Sequence, residues 1–193
     1  LISYTSFAQK STEPPDLITD RPDQTESSSV VPKKHLQIET GFVKESDKAG
    51  NVEFSNLAIA ATLFRYGILD GFELRLGGEY AKKSTEFKER RREEIVEGLA
   101  PFFLGLKAEI SEEEGLIPET AFLFHFKLPY SGAEDFRPDY STVDFRFAAS
   151  NTITDFLSIG YNLGGAVNDD FDEFTGFYSV VAGFSVYDIS GAF

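Results

Sequence analysis

Residues 72–80 read Phe72-Glu73-Leu74-Arg75-Leu76-Gly77-Gly78-Glu79-Tyr80. Large apolar side chains stand at 72, 74, 76 and 80. Charged or minimal ones stand at 73, 75, 77 and 79. A strand sends alternate side chains to opposite faces, so this stretch is amphipathic only as a strand. On a helix the same charges would scatter around the axis.

The template recurs on either side. Leu36, Ile38 and Phe42 alternate with Gln37, Glu39 and Gly41. Leu57, Ile59, Ala61 and Leu63 alternate with Asn56, Ala58, Ala60 and Thr62. Leu104, Leu106, Ala108 and Ile110 alternate with Gly105, Lys107 and Glu109. Phe122, Phe124, Phe126 and Leu128 alternate with Ala121, Leu123, His125 and Lys127. Val143, Phe145, Phe147 and Ala149 alternate with Asp144, Arg146, Ala148 and Ser150. Residues 157–164 and 178–186 repeat the pattern, which makes eight predicted strands.

The connections alternate in length. Short turns are expected at residues 67–71, 111–115, 151–155 and 188–191. Longer polar loops are expected at 44–51, 82–94, 129–139 and 167–173. Short turns at one end and long loops at the other are the layout of an outer-membrane barrel. The expected fold is therefore all-β, an antiparallel up-and-down transmembrane β-barrel. With the N-terminus periplasmic, the long loops lie outside the cell.

The chemistry of the two faces separates this fold from a soluble barrel, which turns its apolar residues inward. Here the apolar face is nearly free of charge and rich in Phe and Leu, which suits lipid. The other face mixes charge with small residues such as Gly77, Gly105, Ala58 and Gly160, which suits a crowded interior. Tyr66, Tyr80, Tyr130, Tyr140 and Tyr187 fall near strand ends, where interfacial aromatic girdles form.

Composition agrees. The 193 residues include 20 Phe and 8 Tyr but no Cys, so disulfides and thiolate metal sites are excluded. A formal net charge of −14 argues against nucleic acid as a partner. The one basic run, residues 88–92, is surrounded by Glu and reads as a solvated loop. No stretch approaches the ~20 apolar residues of a membrane helix, but barrel strands need only ~9–11.

Three regions are expected. Residues 1–8 look like the end of an export signal, with small residues at Ser6 and Ala8 and cleavage before Gln9. Residues 9–35 are polar and carry Pro14, Pro15, Pro22 and Pro32, so they read as an extended periplasmic segment. Residues 36–193 form the barrel. Its C-terminal strands are expected to lie beyond Phe193, because 189–193 do not continue the alternation. The alternative is a complete eight-stranded barrel ending on Phe193.

Residues 16–42 contain Asp-Leu-Ile-Thr-Asp-Arg-Pro-Asp-Gln-Thr-Glu-Ser-Ser-Ser-Val-Val-Pro and then Leu-Gln-Ile-Glu-Thr-Gly-Phe. This resembles the entry segment of the outer-membrane transporter barrels grouped as the MetA-pathway of phenol degradation family, especially those of Bacteroidota. Phe64-Arg65-Tyr66-Gly67-Ile68 and Phe72-Glu73-Leu74-Arg75 resemble that family's second and third strands. The resemblance implies a Gram-negative outer-membrane location and a transport role. The family name does not identify a solute.

The candidate site follows from the inward face. Glu39, Glu73, Arg75, Glu79, Lys107, Glu109, His125, Lys127, Asp144 and Arg146 are the expected lumen-lining residues. Buried charge must be paired or hydrated. Two readings stay open: a polar plug that closes the interior, or a selective hydrophilic path. Asp20, Arg21 and Asp23 are candidates for an N-terminal plug, with Arg21 paired to a lumen carboxylate such as Glu39.

Other chemistry is disfavoured. His125 reads as a hydrogen-bonded lumen residue and His35 as an interface residue. Neither belongs to a hydrolytic constellation, so no enzyme and no cofactor are expected. Residues 168–173 are acidic but lack the spacing of a calcium loop, and Glu112-Glu113-Glu114 reads as a charged turn. The expected partners are outer-membrane lipid and lipopolysaccharide, a small hydrophobic or amphipathic solute, and a periplasmic partner for residues 9–35. The expected function is a channel or transporter, and the alternative is a closed structural or partner-binding barrel.

Overall fold

The computed structural model describes residues 17–20, 25–89, 92–137, 141–168, 174–186 and 189–192. The export-signal remnant, the plug candidates Arg21 and Asp23, Tyr140, Tyr187 and residues 169–173 of the acidic loop lie outside the described residues.

Among the described residues ten strands form one sheet, two more than the eight expected. They are β1 (Leu36–Ala49), β2 (Val52–Leu69), β3 (Phe72–Phe87), β4 (Arg92–Leu99), β5 (Phe103–Ser111), β6 (Glu119–Lys127), β7 (Thr142–Thr154), β8 (Leu157–Asn168), β9 (Phe174–Val186) and β10 (Ile189–Ala192). The order is β1-β2-β3-β5-β6-β7-β8-β9-β10, and β4 also pairs with β3. β4 and β5 are thus successive stretches of one pass along β3, interrupted at Pro101, which has no N–H to donate. Every pairing between strands is antiparallel, and the sheet forms a half-barrel. The expected all-β, up-and-down architecture is observed.

Three local expectations are corrected. Residues 44–51 and 82–94 are not long loops. They are mostly strand, in hairpins that run to Gly50 and beyond Phe87. Their side chains are polar on both faces, so alternation is silent there. Cross-strand partners such as Lys48↔Glu53 and the Ser84–Glu93 hydrogen bond support the pairing instead. Residues 189–192, read as part of a turn, pair with Gly183–Val186 of β9.

The third correction concerns β2. Ala61 and Leu63 were expected on the lipid side with Leu57 and Ile59. Both face inward, at 1% exposure each. A β-bulge lies between Ile59 and Thr62, with Ala60 at φ 50°. One extra residue inverts the phase of everything that follows. Arg65 therefore points inward at 1% exposure, while Phe64 and Tyr66 point out.

The sheet is apolar outside and charged within. Leu74, Leu76, Leu104 and Leu106 are exposed, whereas Glu73, Arg75 and Lys107 are at most 2% exposed. Small residues (Ala58, Ala81, Ala121, Ala148) leave room for the long charged ones on the inner face.

One glycine fixes how the chain enters. A Cβ at Gly67 would lie 2.2 Å from the Pro32 carbonyl oxygen and 2.4 Å from that of Val31. Lys34 N–H also donates to the Gly67 carbonyl at 2.7 Å. Backbone cannot move aside cheaply, so Gly67→Ala should destabilise the fold by about 1–3 kcal/mol, as overpacking does. A denaturant midpoint indistinguishable from the parent's would contradict this close approach.

Candidate functional site

Three cations meet on the concave side. Arg65, Arg75 and Lys107 come from adjacent strands: Arg65 pairs in register with Arg75, and Glu73 with Lys107. Like charges so close need carboxylates between them. Glu73, between Arg65 and Arg75, accepts two parallel bonds from Arg65: Nε to Oε1 at 2.8 Å and a terminal nitrogen to Oε2 at 2.9 Å. That fork geometry is what a guanidinium does and an ammonium does not. Glu39 of β1 takes the third Arg65 nitrogen at 2.9 Å.

The remaining acids come from the entry segment. Asp20 Oδ2 lies 2.7 Å from Arg75 and 3.3 Å from both Arg65 and Lys107. Glu26 receives the other terminal nitrogen of Arg75 at 2.7 Å. Asp20 also accepts from the Ser27 N–H at 2.8 Å, and its own N–H donates to Glu39 at 3.0 Å. Four carboxylates thus face three cations in one connected network.

Further hydrogen bonds extend the docking across the half-barrel. The Glu26 N–H donates to Asn162 Oδ1 at 2.7 Å, and Asn162 Nδ2 donates to the Glu26 carbonyl at 2.9 Å. Thr25 donates to Ser179 and Ser28 bonds with Ser150. The Val31 N–H donates to Glu73 at 2.8 Å. Arg65 also donates to the carbonyls of Ile18 and Ser29. A segment that touches β1 and β9 together lies inside the curve of the sheet.

Burial by itself would raise the Asp20 carboxyl. Lys107, then Arg75 and Arg65, reverse that and hold it far below the usual carboxylate range. A depressed group contributes stability that is complete above its unfolded pKa, ~3.9, and is lost as pH falls through its folded value. Docking of residues 17–20 should therefore persist from neutral pH down to about pH 4. Hydrogen exchange of residues 17–31, corrected for intrinsic rate, checks this. Release at pH 5 would show that these ion pairs do not hold the segment.

Farther along the inner face, His125 Nδ1 lies 3.1 Å from Asp144. The Arg146 guanidinium sits 4.7 Å from the centre of the Phe177 ring and 3.5 Å from Asn162. Lys127 and Glu79 line a separate pocket with Lys83 and Phe103. Glu109 lies beside Gly71 at the opposite end and does not join the network. Exposed His35 bonds to the Lys33 carbonyl, and Glu113 caps Thr152 across the short loops.

Of the expected lumen residues, Glu39, Glu73, Arg75 and Lys107 come together, with Asp20 as the plug residue at their centre. Glu39 pairs with Arg65, and its expected partner Arg21 lies outside the described residues. Arg65, Glu26 and Asn162 were missed. The phase shift at Ala60 concealed Arg65. Asn162 carries no charge to mark it. Glu26 stood in the quoted entry motif but has no periodicity.

The chain matches the family described as "Putative MetA-pathway of phenol degradation" over residues 19–188. It belongs to that family. The match begins one residue before Asp20, so it takes in the entry segment as well as the strands. No curated protein and no solved structure matches the chain. Among the described residues no helix is long and apolar enough to cross a membrane, which says nothing of a barrel.

Proposed function

We propose that this MetA-pathway family member is an outer-membrane β-barrel with a gated path for small hydrophobic or amphipathic solutes, its own entry segment forming the gate. One observation carries the membrane reading: Leu and Phe face outward while Arg65, Glu73, Arg75 and Lys107 are buried within. Water would favour the reverse, and lipid favours this arrangement. The lipid-facing partners are outer-membrane lipid and lipopolysaccharide. The reading assigns the barrel no reaction.

The gate reading rests on how the lumen is filled. The segment is held by side chains rather than by membership of the sheet. Among the described residues its one backbone pairing with the wall is the bridge from Lys33 to Gly67. The described part of the segment can leave without unzipping a strand. A second reading keeps the barrel closed, with a structural or partner-binding role, because all three cations of the network already have carboxylate partners.

Planar-bilayer recording separates the two. A gated channel should stay quiet as isolated and give discrete conductance steps once Asp20 and Glu26 are neutralised. A folded barrel that stays silent in both forms supports the closed reading.

A further inference from the structure

The pocket lined by Lys127 and Glu79 lies beyond the plug layer and differs from it in kind. In the plug layer each cation has a carboxylate. In the pocket, among the described residues, Lys83, Lys127 and Glu79 make no ion pair. The pocket occupies about 410 Å³, within the range of about 300–1,000 Å³ typical of small-molecule sites.

The pocket is a constructed feature. The break between β4 and β5 at Pro101 opens it, and residues 128–137 fold back against that break. The Ala133 N–H donates to the Leu99 carbonyl at 2.8 Å, and the Phe102 N–H donates to Ser131 Oγ at 3.0 Å. The short 3-10 turn Glu134–Phe136 brings Phe136 to within 5.3 Å of Lys83 Nζ, which positions the ammonium. Opposite it, Phe103 lies across Gly77, where a Cβ would come 2.1 Å from the ring. Two aromatic rings and Pro101 therefore make apolar walls.

Its polar groups are of two kinds. Lys83 and Lys127 offer positive charge. Asn56 Oδ1 is buried and has no donor, while its Nδ2 is committed to Glu45 at 3.3 Å. Glu79 adds a second acceptor. A ligand that satisfies both needs a carboxylate for the lysines, a flat ring for the walls and a hydroxyl for Asn56 or Glu79.

We infer that this pocket binds hydroxylated aromatic carboxylates on their way to or from the lumen. The inference rests on the reading of the barrel as a solute path, and it names the solute class. Binding and transport are separable, so the test is an equilibrium one.

Calorimetric titration of the refolded barrel in detergent with 4-hydroxybenzoate should show saturable binding. Lys83→Gln with Lys127→Gln should weaken it at least about tenfold, the size of one charge-assisted hydrogen bond. Asn56→Leu should narrow the preference for 4-hydroxybenzoate over benzoate. Heat-modifiable migration in gels confirms that each variant is folded. Phenol lacks the carboxylate and tyramine reverses the charge, so both should bind more weakly. Equal binding of either, no saturable binding, or binding indifferent to the two lysines would overturn the assignment. Lysine-dependent binding by a barrel that never conducts would sink the transport reading and leave the site standing.

Discussion

Replacing Arg65 by Met should cost the folded barrel about 3–5 kcal/mol, the range seen when one partner of a buried ion pair is removed. Met keeps much of the stem and none of the donors. The guanidinium currently serves Glu73 through two bonds, Glu39 through one, and the carbonyls of Ile18 and Ser29. Without it, Glu39 and Glu73 remain buried beside Asp20 with only Arg75 and Lys107 to balance them. Arg65→Lys should recover only part of the loss, because an ammonium cannot make the fork to Glu73. Urea unfolding in lipid vesicles measures both. A near-normal midpoint for Arg65→Met would mean that the network is hydrated rather than dry.

Neutralising Asp20 and Glu26 together should release the entry segment while sparing the sheet. The two carboxylates belong to the segment, and their partners Arg75 and Lys107 belong to the wall. In Asp20→Ala with Glu26→Ala, docking loses these ion pairs and keeps hydrogen bonds made through the segment's backbone, such as Glu26 N–H to Asn162 and Val31 N–H to Glu73. If docking loses about 3 kcal/mol, its equilibrium constant falls by more than a hundredfold. The vacated lumen would then present Arg65, Arg75 and Lys107 against Glu39 and Glu73, so the open state should favour anions. Conductance and reversal potential in a salt gradient read both effects. Unchanged protection of residues 17–31 in hydrogen exchange would show that the remaining hydrogen bonds suffice to keep the segment docked.

Much of the fold was legible because a strand in a two-sided environment carries a two-residue period. Phe72–Tyr80 shows it without interruption, and its inward set Glu73, Arg75 and Gly77 is the observed one. The signal failed where the environment is the same on both sides. Lys44–Lys48 and Lys82–Lys83 are polar whichever way they face, so hairpins that overshoot the apolar belt read as loops. It failed again at Ala60, where a bulge reverses the count with no change in composition.

The site divides along similar lines. Charge on an inward face is visible as a charge out of place, which is why Glu39, Glu73, Arg75 and Lys107 could be named in advance. Partner choice is not visible. Glu39 meets Arg65 because the bulge carries Arg65 to the inner face beside it. The break at Pro101 that opens the outer pocket looks in sequence like an ordinary loop end.

The sequence by itself determined eight of the ten strands, their antiparallel order, the charged interior and the presence of an acidic entry motif. These depend on contacts between near neighbours and on which medium each face meets. Only the tertiary structure decided that Asp20 lies among Arg65, Arg75 and Lys107, which are 45, 55 and 87 residues away in the chain. Such pairings depend on register and curvature summed over several strands, and a single bulge is enough to change them. No local pattern of residues encodes that sum.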